Sequence, residues 1–375
     1  MRDLILRVAL WLVYLQHAAG SGSSFAVQIT KSATAAWRQL KTARRSSFLA
    51  GHAVRDALQY KQHVFTCQIT LGDGTRMMAL VDTGSSNIVA PSRACSSRGC
   101  VGHRKFRSED DDDGHFVGSA SSDIRLSYAS GHLTGSGFST RICLGEGACG
   151  RASLVLAAFE SDEFEQYPFD AILGLGPPRQ AAGGDYNIVN ALTRDGVLST
   201  PSFMLGLRAS GASSLTFGVN VSNFTGNATW LPADARHGEW AVPLADFAVD
   251  GTRVEACGAG GCRAVLDSGT AGIAVPKHIA QVLRAKLQVS DCSELDDMPK
   301  LGFALGGRLF EIGADRYVEV SKVDASHCRL LVREIDDGET QRTVILGQPF
   351  LMERLAFFDQ AQMRVGLLDL PLSPA

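Results

Sequence analysis

The chain has 375 residues, a length that exceeds a single ordinary domain and favours two. Its formal charge of −3 at pH 7 is unevenly divided, because residues 1–20 carry +1 and residues 21–60 carry +5, which leaves −9 for residues 61–375. No apolar run after residue 20 is long enough to span a bilayer, which excludes a protein with several membrane-spanning helices.

The first twenty residues are typical of a secretory signal peptide. Arg2 and Arg7 border a short apolar run at 8–15, and small residues follow at 18–20. The alternative is an anchor retained in the membrane, although the run is too short to span a bilayer comfortably. We therefore predict entry into the secretory pathway, with membrane contact only if this segment is retained.

Residues 21–60 form a basic segment in front of the acidic body. Asp56 is its single acid, against six Lys and Arg side chains. This division of charge predicts an inhibitory prosegment held on the body electrostatically. A tail that binds nucleic acid or a membrane surface is the alternative, but neither aromatic interleaving nor a sustained basic run supports it, so no nucleic-acid partner is expected.

The body contains one short sequence twice. An apolar run leads into Asp82-Thr83-Gly84-Ser85, and 185 residues later another leads into Asp267-Ser268-Gly269-Thr270. One copy alone is a weak signal, because acidic residues and Gly are common at strand ends. Two copies predict a duplicated fold that brings Asp82 and Asp267 together on a pseudo-two-fold axis.

Two facing carboxyl groups suit the hydrolysis of a peptide bond. At about 3 Å apart the two carboxyl groups cannot both be ionised, so they share one proton. The aspartic protease dyad is the standard example. The ionised group takes a proton from water and the protonated group donates to the peptide carbonyl, so no metal or cofactor is required. Gly84 and Gly269 allow a tight turn, while Ser85 and Thr270 bring hydroxyls within reach of the carboxyl groups.

Short alternating runs broken by Gly predict a mainly β fold. Polar and apolar residues alternate at 122–128 and 214–217, as half-buried strands require. Helical patterns are sparse: one follows Pro276, with Ile279 and Leu283 on one face, and another covers 187–193.

These motifs closely resemble those of pepsin and cathepsin D-type aspartic peptidases. Residues 81–92 resemble the first active-site motif, and residues 169–176 and 344–347 resemble the segments that thread behind the two motifs. The resemblance runs from about Lys61 to the C-terminus. It implies a bilobal pepsin-like acid protease fold, with two pseudo-two-fold-related β lobes at 61–210 and 211–375 around a central cleft.

The resemblance also implies how the protein works. It would be a secretory zymogen and an endopeptidase, acting as a monomer on polypeptides in a secreted, vacuolar or lysosomal setting, with its own prosegment at 21–60 as a second partner. Residues 25–31 are weakly similar to the start of pepsin-type prosegments. Tyr128, Ser130 and Gly131 would belong to the mobile flap hairpin, whose Tyr covers the cleft.

Nine cysteines fit the oxidising route of a secreted protein. The resemblance places three disulfides at Cys95–Cys100, Cys257–Cys262 and Cys292–Cys328, whereas Cys143 and Cys149 form an extra close pair similar to one in aspartic peptidases of apicomplexan parasites and their relatives. Cys67 is left over and is expected to be buried and reduced, although it could instead capture Cys143 or Cys149. Zinc at Cys95, Cys100 and His103 is disfavoured, because no fourth ligand is near.

Three positions depart from the family pattern. Val89 stands where Trp usually bonds the flap Tyr, Ala129 replaces a flap Gly, and Ala271 replaces a Ser that contacts substrate. The acidic run at 109–113 predicts a solvated loop, and sequons at Asn220, Asn223 and Asn227 predict a glycosylated surface.

The alternative to an enzyme is a catalytically silent pepsin-like binding protein. It would be favoured by loss of either Asp, either Gly or either hydroxyl after Gly, and none is lost.

Overall fold

The computed structural model describes residues 24–33, 63–72, 74–118, 124–145, 148–210, 212–224, 226, 228–234, 238–289, 292, 295–321, 327–336, 338, 341–352 and 354–370. The predicted signal peptide and most of the predicted prosegment lie outside these residues. None of the helices within them is long and apolar enough to cross a membrane.

Strands dominate the described residues, as predicted. They are β1 Phe25–Ala33, β2 His63–Leu71, β3 Thr75–Asp82, β4 Ile88–Pro91, β5 His115–Val117, β6 Ile124–Tyr128, β7 Gly131–Leu144, β8 Ala148–Glu160, β9 Ala171–Gly174, β10 Ser202–Gly206, β11 Ser213–Phe217, β12 Thr229–Pro232, β13 Ala241–Val249, β14 Thr252–Arg253, β15 Cys262–Leu266, β16 Ile273–Pro276, β17 Leu301–Leu305, β18 Arg308–Ile312, β19 Val318–Val320, β20 Cys328–Leu330, β21 Val332–Ile335, β22 Thr343–Leu346, β23 Arg354–Asp359 and β24 Arg364–Asp369.

Helices are few and short. The α-helices are α1 Ile188–Arg194, α2 Lys277–Lys286, α3 Ala314–Tyr317 and α4 Gln348–Leu351. Single 3₁₀ turns cover Arg98–Cys100, Ser108–Asp110, Asp162–Gln166, Pro178–Gln180, Gly184–Tyr186, Val221–Phe224 and Leu295–Asp297. Both helices predicted from sequence are confirmed. Asn187 caps α1 by accepting a hydrogen bond from the Asn190 N–H, and Ile279 and Leu283 of α2 are fully buried.

Two large sheets build the bilobal β fold. The first has the strand order β12-β24-β23-β10-β11-β1-β2-β3-β9-β4-β8-β7-β5, with β6 paired to β7. The second has the order β18-β17-β13-β15-β22-β16-β21, with β14 paired to β13, and β19 and β20 form a small third sheet. The last two strands of the chain therefore return to the first sheet and tie the two halves together.

The same three-strand arrangement occurs in both halves. β3 pairs in parallel with β9, which pairs antiparallel with β4, and β15 pairs in parallel with β22, which pairs antiparallel with β16. Gly174 and Gly347 lie where these segments cross. A Cβ on Gly174 would lie 2.5 Å from the Asn87 backbone nitrogen, and one on Gly347 would lie 2.2 Å from the Thr270 oxygen. The duplication read from the sequence is thus a duplication of topology.

A strand forms at the start of the described chain, in residues predicted to be a prosegment. β1 lies between β11 and β2, with Phe25 opposite Phe217 and Ile29 opposite Cys67. Val27 and Ile29 are buried, and Phe25 stacks on Phe217 with ring centroids 5.2 Å apart. Alternating apolar side chains thus fit this segment to a strand with one buried face.

The cysteine pairing agrees with the prediction. The structure contains disulfides Cys95–Cys100, Cys143–Cys149, Cys257–Cys262 and Cys292–Cys328, and Cys67 is free and buried. Burial raises the pKa of the Cys67 thiol to about 12, so the thiol stays protonated and behaves as a core residue.

The acidic run at 109–113 is only partly a solvated loop. Asp111 is buried, and its carboxylate accepts a hydrogen bond from the Thr140 hydroxyl. The prediction was wrong for this residue because its partner lies 29 positions away, on β7. The side chains of Asn220 and Asn223 are exposed, as the sequons require, whereas Asn227 lies outside the described residues.

Candidate active site

Two matching loops carry the predicted catalytic carboxyl groups. Asp82 ends β3, and Asp267 directly follows β15, so each carboxyl group stands at the end of a strand held in a parallel pair. Asp82 is 6% exposed, and Asp267 is half-buried. Both carboxyl groups therefore lie at the boundary between the core and the solvent, where they can contact a bound molecule and a water.

Each carboxyl group is held by the residues that the repeated motif predicts. Asp82 accepts hydrogen bonds from the Gly84 N–H at 2.9 Å and the Ser85 hydroxyl at 2.5 Å. Asp267 accepts the same pair, at 2.8 Å from the Gly269 N–H and at 2.5 Å from the Thr270 hydroxyl. Both carboxylates are therefore fixed in orientation by their own loops.

The loops also approach each other across the pseudo-two-fold axis. A Cβ on Gly84 would lie 2.6 Å from Cγ of Asp267, and a Cβ on Gly269 would lie 2.6 Å from Oδ1 of Asp82. Each Gly therefore leaves the space that the opposite carboxyl group occupies. The predicted pair is assembled in the structure, and these glycines are required for the approach itself as well as for a turn.

Thr83 and Ser268 bind the two loops together. The Thr83 hydroxyl donates to the Leu266 carbonyl at 2.8 Å, and the Ser268 hydroxyl donates to the Val81 carbonyl at 2.7 Å. The Thr83 oxygen accepts from the Ser268 N–H at 2.9 Å, and the Ser268 oxygen accepts from the Thr83 N–H at 3.0 Å. No role was predicted for these two residues from the sequence. The signal was present, because both copies have a hydroxyl residue directly after Asp.

Two further contacts support the site from residues that the sequence did not single out. The Trp240 indole N–H donates to the Leu175 carbonyl at 2.8 Å, and the Gln348 amide donates to the Ser268 carbonyl at 3.1 Å. Both bonds are buried, and the first joins segments 65 residues apart. Nothing in the local sequence identifies such partners.

The electrostatics of the pair match one shared proton. Burial raises the pKa of Asp82 to about 7, and the negative charge of Asp267 acts in the same direction. The hydrogen bonds from Ser85 and Gly84 favour the ionised form and oppose this shift. Asp82 therefore keeps its proton through the acidic range while it faces the negative charge of Asp267.

The predicted flap residues lie in one hairpin. Tyr128 ends β6, Ser130 occupies the exposed turn, and Gly131 begins β7. Burial raises the pKa of Tyr128, and the charge of Asp82 raises it further, so the phenol is neutral and lies near the dyad. A Cβ on Gly131 would lie 2.7 Å from the Ser161 hydroxyl, so a side chain here would disturb the base of the hairpin.

The Tyr128 hydroxyl is buried and has the Ser85 hydroxyl as a polar neighbour, but it makes no hydrogen bond of normal geometry with any described residue. Val89, at the position where the family usually has Trp, is 2% exposed and offers no donor. The ring of Tyr128 instead packs edge-on against Phe164, with centroids 6.2 Å apart. Aromatic packing and the neighbouring Ser85 thus position Tyr128, and the effect of Val89 on the flap stays a prediction.

No group of three or more His, Cys, Asp or Glu side chains in the described ranges is placed to hold a metal ion. The arrangement that is present can hold a water between two carboxyl groups of different charge. It can therefore supply a general base and a general acid to the same substrate bond.

Comparison with known proteins gives one family. A model of the family described as eukaryotic aspartyl protease matches residues 64–370. Pepsin A of Sus scrofa is 29% identical over 316 residues, 80% of each chain. Gastricsin of Cavia porcellus is 28% identical over 329 residues, 83% of this chain and 81% of its own.

A third relative, pregnancy-associated glycoprotein 2 of Bos taurus, is 27% identical over 339 residues, 87% of each chain. These relatives are mammalian, and the resemblance to the apicomplexan branch stays a prediction. The family match includes both Asp loops, the flap and the four disulfides, and leaves β1 outside it.

Proposed function

This chain belongs to the eukaryotic aspartyl protease family and is an aspartic endopeptidase, and we propose that Asp82 and Asp267 are the two groups that perform the hydrolysis. The observation that carries this proposal is the crossed packing of the loops, in which Gly84 makes room for Asp267 and Gly269 for Asp82. Only a substrate bond placed over the axis would meet both carboxyl groups.

The proposed reaction needs no covalent intermediate. The ionised carboxylate takes a proton from the bound water, whose oxygen bonds to the peptide carbonyl carbon, while the protonated carboxyl group donates its proton to the carbonyl oxygen. The carboxyl group that took the water's proton then donates it to the nitrogen of the tetrahedral intermediate, the other carboxylate takes a proton from one of the two hydroxyls, and the C–N bond breaks. A new carboxylic acid and a new amine leave, and the pair retains one shared proton.

The remaining predicted residues have supporting roles in this proposal. Ser85 and Thr270 orient the carboxylates, and Tyr128, Ser130 and Gly131 form the flap that covers the substrate. The alternative, a silent binding protein, finds no support, because both Asp, both Gly and both hydroxyls of the motifs are present and in contact.

Substitution of the dyad tests the proposal. Asp82→Asn and Asp267→Asn should each lower kcat by at least about 10³-fold with an unchanged fold, and the double variant should lose little more, since the pair acts as a unit. Hydrolysis of a peptide library by the purified protein, with and without pepstatin, measures this. Asp113→Asn, at an exposed acid, is the control. Retention of a tenth of the activity by either single variant would refute the assignment.

We further propose that residues 21–60 are an inhibitory prosegment of a secretory zymogen. The +5 charge of this segment against −9 in the body supports it, as does the position of β1, which lies outside the family match. Lys31 of β1 lines a cavity together with Ala271, next to the Asp267 loop, and donates to the Ala209 carbonyl at 3.1 Å. Four disulfides fit an oxidising route and a secreted, vacuolar or lysosomal location.

Acid conversion tests the zymogen. The chain without residues 1–20 should be inactive at neutral pH, and acid should convert it to an active form shorter by about 40 residues, because protonation of body carboxylates weakens the charge attraction. Mass spectrometry of the converted protein and its peptidase activity measure both parts. Equal activity with and without residues 21–60 at every pH would contradict an inhibitory role.

A further inference from the structure

A cavity of about 330 Å³ opens directly beside the Asp267 loop. Ala271, which follows Thr270, and Gln348, whose amide bonds the Ser268 carbonyl, form one side. Its volume lies at the lower end of the range for ligand pockets. Ala271, one position after the Thr270 that bonds Asp267, is the link between this cavity and a peptide lying over the dyad.

β21 brings a positive charge to the same cavity. Ala274 is paired with Arg333 across β16 and β21, and the Ile273 N–H donates to the Leu331 carbonyl at 2.7 Å. Arg333 is exposed and lines the cavity. The strand that follows the Asp267 loop thus fixes the position of Arg333 relative to the dyad.

The other charges that strands and helices after β1 bring to the lining are paired with one another or with a neighbour. Arg316 forms an ion pair with Asp315 at 2.8 Å, and Glu319 accepts two hydrogen bonds from Arg329, at 3.1 and 2.8 Å. Arg333 makes no hydrogen bond or ion pair with any residue that the structure describes. Each acidic side chain of the lining is therefore paired with an Arg, and the guanidinium of Arg333 is available to bind an anionic group of a ligand.

We propose that Arg333 makes this cavity a specificity site for a substrate side chain that bears a carboxylate, Glu or Asp. A guanidinium can bind a carboxylate through two parallel hydrogen bonds, which a neutral side chain cannot reproduce. The inference rests on the proposed function, because the substrate chain is positioned by the dyad.

The chain's own basic segment is a poor occupant of this site. Residues 34–62, between the end of β1 and the start of β2, contain a single acid, Asp56, and six Lys and Arg residues. Lys31 lines the cavity from β1 and leaves it when residues 21–60 are removed in the proposed activation, so Arg316 and Arg333 are the positive charges that remain in the active enzyme. Charge complementarity therefore favours an acidic substrate over the prosegment.

The proposed preference depends on pH through the substrate itself. A Glu side chain ionises near pH 4.3, so it is neutral below that value and binds Arg333 only above it. In the active enzyme, which lacks residues 21–60, the lining charges that would face this carboxylate are Arg333, Arg316, Asp315 and Glu319. Lys31 lines the cavity only in the precursor. The acidic preference should therefore appear in the less acidic part of the working range and vanish towards pH 3.

The test compares Glu with Gln at each position of a peptide library around the cut. At pH 5.5 the wild-type enzyme should cleave the Glu peptide about tenfold better in kcat/KM at one position, with the difference mainly in KM. Arg333→Ala should abolish this ratio, Arg333→Lys should keep part of it, and Arg333→Glu should favour Lys at the same position. Raising the salt concentration should reduce the wild-type ratio.

Arg253→Ala is the matched control, because Arg253 is an exposed Arg of the same sheet and does not line the cavity. This variant should keep the wild-type ratio. Cleavage by wild type and Arg333→Ala with the same Glu-to-Gln ratio would overturn the inference and leave the proposed function intact. Failure of the wild type to cleave any peptide would overturn the proposed function and the inference with it.

Discussion

At the scale of single residues, the site depends on short polar side chains that join the two halves. Thr83 and Ser268 each donate one hydrogen bond and accept another across the axis, and all four partners are buried. A buried polar group that loses its hydrogen-bonding partner is left with the full free-energy penalty of desolvation. These hydroxyls therefore fix the positions of the Asp82 and Asp267 carboxyl groups relative to each other.

Thr83→Val tests this role with almost unchanged shape. It leaves the Leu266 carbonyl without its donor and the Ser268 N–H without its acceptor, so we expect a loss of about 2 kcal/mol or more in the free energy of unfolding. Ser268→Ala should cost a similar amount, and the double variant should cost less than the sum, because the two residues share bonds. Urea denaturation measures this. Thr193→Val, whose hydroxyl bonds only within α1, is the control, and an equal loss there would contradict the prediction.

At the scale of elements, β4 shows how the flap region is packed. Val89 is opposite Val155 of β8 and Ile172 of β9, and it lines a cavity of only about 10 Å³ together with Phe164 and other side chains. Such a space holds at most about one water molecule. The side chains of β8 and β9 therefore fill the space around Val89, where the family pattern has the larger Trp.

Val89→Trp should consequently destabilise the protein instead of restoring a partner for Tyr128. An indole cannot enter this space without displacing β8 or β9, so we expect a loss of about 2 kcal/mol or more. Thermal and urea unfolding measure the change. Val101→Trp is the matched control, because Val101 is 50% exposed and should tolerate the ring. A Val89→Trp protein as stable as wild type would show that the packing is looser than the structure indicates.

At the scale of the whole molecule, two buried carboxyl groups link activity and stability to pH. Burial raises the pKa of Asp82 to about 7, so activity should fall as pH rises through that value and the shared proton is lost.

Glu160 is 4% exposed, and burial raises its pKa to about 7 as well, while the charge of Lys105 opposes the shift. His103 also faces this carboxyl group, with Nδ1 4.0 Å from Oε2.

The sign of the stability effect follows from these shifts. Below about pH 4.5 Glu160 is protonated in both the folded and the unfolded chain, whereas between about pH 4.5 and 7 only the folded chain keeps the proton. The contribution of Glu160 to stability should therefore fall by up to about 3 kcal/mol over this range and level off above it. Asp82, whose pKa is also raised to about 7, acts in the same direction. Glu160→Gln should flatten the slope of unfolding free energy against pH, and an unchanged slope would contradict the assignment.

The sequence by itself determined the mainly β fold, the duplication and the two Asp. Each is encoded within a few adjacent residues: alternation marks a strand, and Asp followed by a hydroxyl residue and Gly marks a loop that bonds its own carboxylate. The four disulfides and the free Cys67 were also predicted, through the family resemblance and the oxidising route.

Only the tertiary structure decided the contacts between distant segments. The bonds between Thr83 and Ser268 join residues 185 positions apart, and the burial of Asp111 depends on Thr140 of another strand. Likewise, β1 became a strand because β2 and β11 provide its hydrogen-bonding partners, and Arg333 reached the cavity because β21 pairs with β16. Local sequence specifies the conformation of a segment, but the neighbours of that segment are set by the packing of the whole chain.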